Sequence, residues 1–202
     1  MQIYIIYDHN INVSETTLKT YFSNIVGFLN VYLQFSEDNS FYFINNKTII
    51  FDSTQNNNLN EILKFKIIPI TAGDIAIALL RKCNFILLCT MFPETFNLKN
   101  IIQCIKTAKT FKIPIHTFGI TDSNTLKLIS QGTHGKFIFN DFYNLVQILD
   151  LNTIPILNNF GVNCYCCNKT IYLGFCCSIC LTIYCKFIPI CKKCKIKFNF
   201  IN

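Results

Sequence analysis

Apolar positions along the first 150 residues switch repeatedly between a period of two and a helical period. Gln2 to Tyr7 is a β-branched and aromatic run that stops at Asp8-His9-Asn10, the pattern of a buried strand running into a polar loop. From Ser14 the spacing changes. Leu18, Tyr21, Phe22, Ile25, Phe28 and Leu29 recur one helical turn apart, with Ser14 placed as the N-cap. Phe41 to Ile44 and Thr48 to Phe51, joined by Asn45-Asn46-Lys47, predict a hairpin, and Gln55 to Asn58 a polar loop. Gly73 to Lys82 then reads as an apolar helix, Phe85 to Cys89 as a buried strand, Leu98 to Thr110 as an amphipathic helix and Ile113 to Ile120 as a strand. Ser123 to Ser130 is again helical, Lys136 to Phe139 a strand and Asp141 to Leu149 a closing helix. This alternation predicts an α/β fold, a doubly wound and mostly parallel sheet with helices on both faces, over residues 1–150. A linker is expected at 151–160, where Pro155 and Asn158-Asn159 fall, followed by a separate small module at 161–202; no internal repeat is apparent.

The final module has a different chemistry. Nine of the chain's twelve cysteines lie between Cys164 and Cys194. Three C-x-x-C pairs stand out, Cys164/Cys167, Cys177/Cys180 and Cys191/Cys194. Two residues between cysteines let a tight turn aim both sulfurs at one tetrahedral ion, and two such turns complete a four-sulfur site for Zn2+. Cys177, Cys180, Cys191 and Cys194 make the better-defined candidate, with ten residues between the pairs. Cys164, Cys166, Cys167 and Cys185 remain for a second, so one or two zinc ions are expected, while Cys176 is expected to pack as a small apolar residue. A disulfide framework is the competing reading. It needs an oxidising compartment, and the N-terminus shows no basic start, apolar stretch and cleavage site.

Charge and composition narrow the partners. The chain carries a net charge of +7, and the module contributes Lys169, Lys186, Lys192, Lys193, Lys195 and Lys197 with no carboxylate. Four thiolates on one divalent ion leave two negative charges, so the lysines balance sulfur before they attract nucleic acid; nucleic-acid contact is expected to be weak or indirect. Tyr165, Tyr172, Phe175, Tyr184, Phe187, Phe198 and Phe200 are expected to form the module's apolar core in preference to a base-stacking surface. No apolar run reaches the roughly 20 residues of a membrane-spanning helix, and no membrane partner is expected.

Ligand sites in doubly wound sheets lie beyond the carboxyl ends of the strands, where Asp8, Thr71, Thr90 and Thr121-Asp122 are placed. A von Willebrand type A domain holds Mg2+ there with an Asp-x-Ser-x-Ser run, but this chain has Asp8-His9-Asn10-Ile11-Asn12, and Met91-Phe92-Pro93 where a carboxylate is wanted. His9, His116 and His134 read as surface or satisfied core positions. There is no phosphate-binding loop and no nucleophile elbow. Two other classes compete. A Mg-dependent PIN-type ribonuclease with a zinc ribbon would draft Asp8, Asp74 and Asp122, although Asp74 also suits a helix N-terminus. A RING-type ubiquitin ligase wants eight ligands in paired order, and Cys185 has no close partner after it.

With both halves in view, the chain resembles the smaller von Willebrand-domain, zinc-finger subunit of the core of the general transcription and DNA repair factor IIH (TFIIH), the Tfb4/p34 family. Cys164-Tyr-Cys-Cys167, Gly174-Phe-Cys-Cys-Ser-Ile-Cys-Leu-Thr-Ile-Tyr-Cys185 and Ile188-Pro-Ile-Cys-Lys-Lys-Cys194 follow that family's C-x-C-H, G-[YF]-x-C-S-x-C-L-x-[IV]-[FY]-C and x-P-[IV]-C-x-x-C segments, with Cys167 standing where the family has His. Looser likenesses are Ile6-Tyr-Asp-His-Asn10, Thr71-Ala-Gly-Asp-Ile-Ala-Ile-Ala-Leu79 and Gly132-Thr-His-Gly-Lys-Phe137. Relative to that family, the insertions between the early strands and helices are shorter here, and the basic extension after the zinc module is expected to be absent. The resemblance implies a von Willebrand factor A-like domain and a C4 zinc module in a nuclear, non-catalytic scaffold subunit. It implies pairing with the larger von Willebrand- and RING-bearing subunit and other core subunits, in transcription initiation by RNA polymerase II and nucleotide excision repair.

Overall fold

Strand β1 (Gln2–Tyr7) sends Ile3, Ile5 and Tyr7 to one face and Tyr4 and Ile6 to the other, and all five are buried, as in a strand covered on both sides. The computed structural model describes residues 1–9, 13–55, 59, 62, 67–91, 96–139, 141–149, 161–177 and 179–197. The chain divides into two compact units, Met1–Leu157 and Asn158–Asn202; the linker expected at 151–160 lies outside the described residues.

In the first unit β1 pairs in parallel with β2 (Ser40–Asn45) on one side and β4 (Phe85–Thr90) on the other. Strands β5 (Ile115–Gly119) and β6 (Phe137–Phe139) continue in parallel, and β3 (Thr48–Asp52) forms an antiparallel edge. The order β3-β2-β1-β4-β5-β6 is the mostly parallel, doubly wound sheet that the alternation predicted. Its direction of winding reverses between β1 and β4. The crevice beyond their carboxyl ends is therefore the topological switch point.

The two faces of the sheet are built from different residues. On one, α1 (Glu15–Gln34) lays Tyr21, Phe22, Phe28 and Tyr32 on Tyr7, Phe41, Phe43 and Phe118, and Leu145 of α5 (Phe142–Val146) joins them. Tyr21 and Phe118 stack with ring centroids 5.0 Å apart. On the other face α2 (Ala72–Leu80), α3 (Leu98–Phe111) and α4 (Asn124–Gly132) pack Ile75, Ile101, Ile105, Leu126 and Ile129 on Ile6, Ile86 and Leu88. Small residues let these helices approach closely: a Cβ on Gly132 would stand 2.7 Å from Ile105 Cγ2.

Local chemistry explains the element ends. Ser14 accepts from Thr17 N–H at 3.2 Å, Asn97 from Lys99 N–H at 3.1 Å and Asp141 from Tyr143 N–H at 2.9 Å, so each helix start satisfies an otherwise orphaned donor. Asn46 and Lys47 both have positive φ (50° and 61°) between the paired residues Asn45 and Thr48, which gives the two-residue turn that suits a twisted hairpin. Strand β5 is shorter than predicted, because left-handed Lys112 ends α3 and Pro114 has no N–H to give the ladder. The predicted closing helix is α5 followed by a 3-10 turn at Gln147–Leu149. Among the described residues, no helix is long and apolar enough to cross a membrane.

Candidate metal centre

The second unit is three copies of one turn. Strands β7 (Val162–Asn163) and β8 (Thr170–Ile171), and β9 (Phe175–Cys176) and β10 (Ile183–Tyr184), form two short antiparallel ladders, and Ile190 bridges Lys197 in the same sense. Each pairing encloses a C-x-x-C, and in each the residue before the first cysteine pairs with the residue seven positions on: Asn163 with Thr170, Cys176 with Ile183, Ile190 with Lys197. The hydrogen bonds repeat as well. The first cysteine's N–H donates to the carbonyl five residues on at 2.9 Å (Lys169, Thr182, Ile196), and its carbonyl accepts the N–H four residues on at 2.8 Å (Asn168, Leu181, Lys195). Those acceptor-bonded residues are left-handed in every copy, with φ of 57°, 58° and 61°. A structural repeat is thus present where none was expected, carried by backbone register and not by side chains outside the cysteines.

These turns gather two groups of four sulfurs, Cys177, Cys180, Cys191 and Cys194 in one and Cys164, Cys166, Cys167 and Cys185 in the other, with the sulfurs of each group within 4.8 Å of one another. The first group comes from two facing copies of the turn: Cys177 Sγ lies 3.6 Å from Cys194 Sγ and Cys180 Sγ 3.5 Å from Cys191 Sγ. In the second, one turn supplies three sulfurs and Cys185 the fourth; Cys166 lies 3.4 Å and Cys167 3.8 Å from Cys185, and Cys164 3.0 Å from Cys166. Four sulfurs tetrahedrally placed about 2.3 Å from one ion stand about 3.8 Å apart, so both groups fit a single tetrahedral ion. Thiolate donors suit a soft or borderline metal over Mg2+ or Ca2+.

Surroundings differ between the groups. Cys177 and Cys191 are buried and their mates half-buried, whereas Cys167 and Cys185 are exposed. Tyr184, also buried, places its hydroxyl 3.2 Å from Cys191 Sγ and accepts Lys193 N–H at 3.3 Å. Backbone donors reach one sulfur in each group: Cys185 N–H to Cys164 Sγ at 3.1 Å, and Cys194 N–H to Cys191 Sγ at 3.5 Å. Burial opposes ionisation of Cys191, but the Cys194 and Lys193 N–H groups, the Tyr184 hydroxyl and the Cys194 thiol outweigh it and bring the thiol down to about 6. Cys194, despite a favourable contact from Ile196 N–H, is pushed up to about 12 by burial and its sulfur neighbours. Without a cation, four thiolates cannot share so small a space.

Two expectations for the module fail. Cys176 is exposed: it precedes Cys177 on a two-residue strand, and with Cys177 turned inward it faces out. Of the aromatics assigned to a core, Tyr184 alone among the described residues is buried; Tyr165, Tyr172, Phe175 and Phe187 are exposed, and Phe198 and Phe200 lie outside the described residues. Two-residue strands offer no sheet face for rings to cover, so the centre of the module is sulfur, Tyr184 and the partly buried Ile188.

At the switch point of the sheet, Asp8 is fully buried. Its carboxylate accepts Ile70 N–H at 3.0 Å, Met91 N–H at 2.8 Å and the Thr90 hydroxyl at 2.8 Å. Burial pushes the Asp8 carboxyl up to about 6 against those hydrogen bonds, with the nearby Asp74 charge adding to the rise. Asp74 itself takes Thr71 N–H, the Thr71 hydroxyl and Lys47 N–H at 2.6–2.8 Å, the helix-capping role that its position suggested. Asp122 pairs with Lys127. Asn10, Ile11, Asn12, Phe92 and Pro93 lie outside the described residues. His116 is a satisfied core residue whose Nδ1 accepts Lys136 N–H at 3.1 Å, and burial with the Lys136 charge holds it down to about 3. Among the described residues, the two cysteine groups are the only clusters of three or more metal-competent side chains.

No family profile matches the chain. Over 113 residues, 48% of its length, it is 29% identical to the general transcription and DNA repair factor IIH subunit tfb4 of Schizosaccharomyces pombe, and the match spans 38% of that protein. Among solved structures, the TFIIH p34 N-terminal domain superposes with a TM-score of 0.49 at 16% identity, over 75% of this chain and 97% of that domain. The chain is thus similar to Tfb4 over about half of its own length, and it combines an α/β domain with a cysteine module that offers two four-sulfur sites.

Proposed function

We propose that this chain is a non-catalytic scaffold subunit of a TFIIH-like core, nuclear in location, that supports transcription initiation by RNA polymerase II and nucleotide excision repair through protein contacts. The observation that carries this reading is Asp8. The Asp8 carboxylate at the switch point is sealed from solvent and accepts hydrogen bonds from Ile70, Thr90 and Met91, so it braces three chain segments from a position closed to a substrate-bound metal. Similarity to the S. pombe tfb4 subunit supplies the assembly. The ribonuclease reading loses its acidic cluster, since Asp74 caps α2 and Asp122 pairs with Lys127.

In the module, Cys177, Cys180, Cys191 and Cys194 hold one Zn2+, and Cys164, Cys166, Cys167 and Cys185 a second, with residues 1–150 as the von Willebrand factor A-like domain. The ions supply cross-links and no reaction chemistry. Tyr184 and the backbone donors orient the sulfurs from behind. Residues 151–160 act as the linker, and the larger von Willebrand- and RING-bearing subunit is the direct partner. Co-expression with that subunit tests the assignment: a stoichiometric complex that survives Asp8→Ala, with no Mg- or Mn-dependent cleavage of RNA, supports it. A chain that ignores that subunit at micromolar concentration, or that cleaves RNA in an Asp8-dependent way, overturns it.

A further inference from the structure

The exposed side chains of the module make a surface of their own. Tyr172 is 73% exposed, Leu173 91% and Phe175 53%, and the Phe175 ring meets the exposed Phe187 edge-on at 5.9 Å. The turn that carries Leu173 is mounted on the module: Gly174 packs so closely on β10 that a Cβ there would stand 2.7 Å from the Tyr184 carbonyl oxygen. Large apolar groups held out on a rigid turn lose little freedom when covered. Around them every charge has one sign. Lys169, Lys186, Lys192, Lys193, Lys195 and Lys197 are all exposed, and residues 161–202 contain no carboxylate.

We propose that Tyr172, Leu173, Phe175 and Phe187, with Lys186 beside them, form the docking surface for a protein segment that brings apolar side chains flanked by carboxylates. This rests on the scaffold reading and adds the chemistry of the contact. A second copy of this chain is a poor occupant, because an isologous contact sets lysine against lysine. Single-stranded nucleic acid fits less well. Bases stack on rings but gain little from Leu173, and two loaded four-thiolate sites reduce the module's six positive charges to two.

The test uses the full chain loaded with zinc and three labelled probes: a synthetic peptide with leucine and phenylalanine at helical spacing between glutamates, polyglutamate, and oligothymidylate. The amphipathic acidic peptide is expected to bind and the other two not. Leu173→Ser and Phe175→Ser should each weaken it about tenfold with zinc content unchanged. Lys186→Glu, on an exposed side chain that cannot unfold the module, should weaken it about threefold at low salt and less at high salt. Peptide binding that ignores all three substitutions, or tighter binding of oligothymidylate, overturns the proposal. The same variants in co-expression with the RING-bearing subunit separate the two readings. Assembly that ignores them removes this surface and leaves the scaffold assignment, whereas peptide binding without assembly does the reverse.

Discussion

The sheet unit and the cysteine module bury themselves by opposite means. In the first, β1 and β4 are covered on both faces, and rings on one side and aliphatic groups on the other make two clusters that leave few polar groups inside. In the second, the buried residues among those described are Cys164, Cys177, Tyr184 and Cys191. A module this small cannot remove enough apolar surface from water to offset chain entropy, and three of its four buried residues are sulfurs aimed at common points. The first unit is held by area, whereas the second, on the proposed zinc reading, would be held by a few directed metal–sulfur bonds. Damage to each should therefore look different.

The largest effect should come from removing metal. Structural zinc contributes on the order of 10–16 kcal/mol of apparent binding energy at neutral pH. Cys191→Ser, or a strong chelator, should therefore unfold residues 161–197 while the sheet unit keeps its circular dichroism and its slow amide exchange. A module that stays protected without metal would show that the sulfurs are not its core. Phe43→Ala is the converse experiment: it empties a ring-lined site in the first unit and should cost about 3–5 kcal/mol in urea unfolding. Zinc stoichiometry should not change.

A smaller effect separates two titrations within the sheet unit. His116 has its folded pKa held down to about 3. Its contribution is complete above the unfolded value near 6.5 and falls as pH drops, by about 1.4 kcal/mol per unit. Asp8 is raised to about 6, so its contribution is complete below the unfolded value near 4 and is lost as pH rises through 6. Between pH 7 and 5 the two oppose each other. The native chain should change little, whereas Asp8→Asn should lose about 2 kcal/mol over that interval, measured by urea unfolding at each pH. A flat profile in the variant would mean that His116 is not held neutral. Smallest of all, Lys195→Gly should stabilise the module by about 1 kcal/mol or less, since it relieves a left-handed residue with an exposed side chain.

Sequence patterning reveals the sheet unit well because each of its strands and helices buries a face with a period. Tyr4 and Ile6 alternate with Ile3 and Ile5 in writing as they do in space. The module has no such period. Its cysteine spacing points to the turns, but the shared register rests on left-handed residues at positions 168, 181 and 195, and of Asn168, Leu181 and Lys195 only the asparagine advertises that conformation. Tyr172 and Phe175 read as core residues by composition, and exposure reverses that reading because sulfur takes the place of a ring-lined centre. The sealing of Asp8 is equally invisible in the sequence. It depends on backbone donors from Ile70 and Met91, more than sixty residues away along the chain.

Strand β10 touches both sulfur groups. Tyr184 reaches Cys191 in one, and Cys185, the residue that follows the strand, belongs to the other. On the two-zinc reading proposed above, an ion bound at either group would fix this strand and so prepare the other. Loading should then be sigmoidal in free zinc, with partly filled molecules scarce at every concentration, and the module should respond to metal supply as a unit.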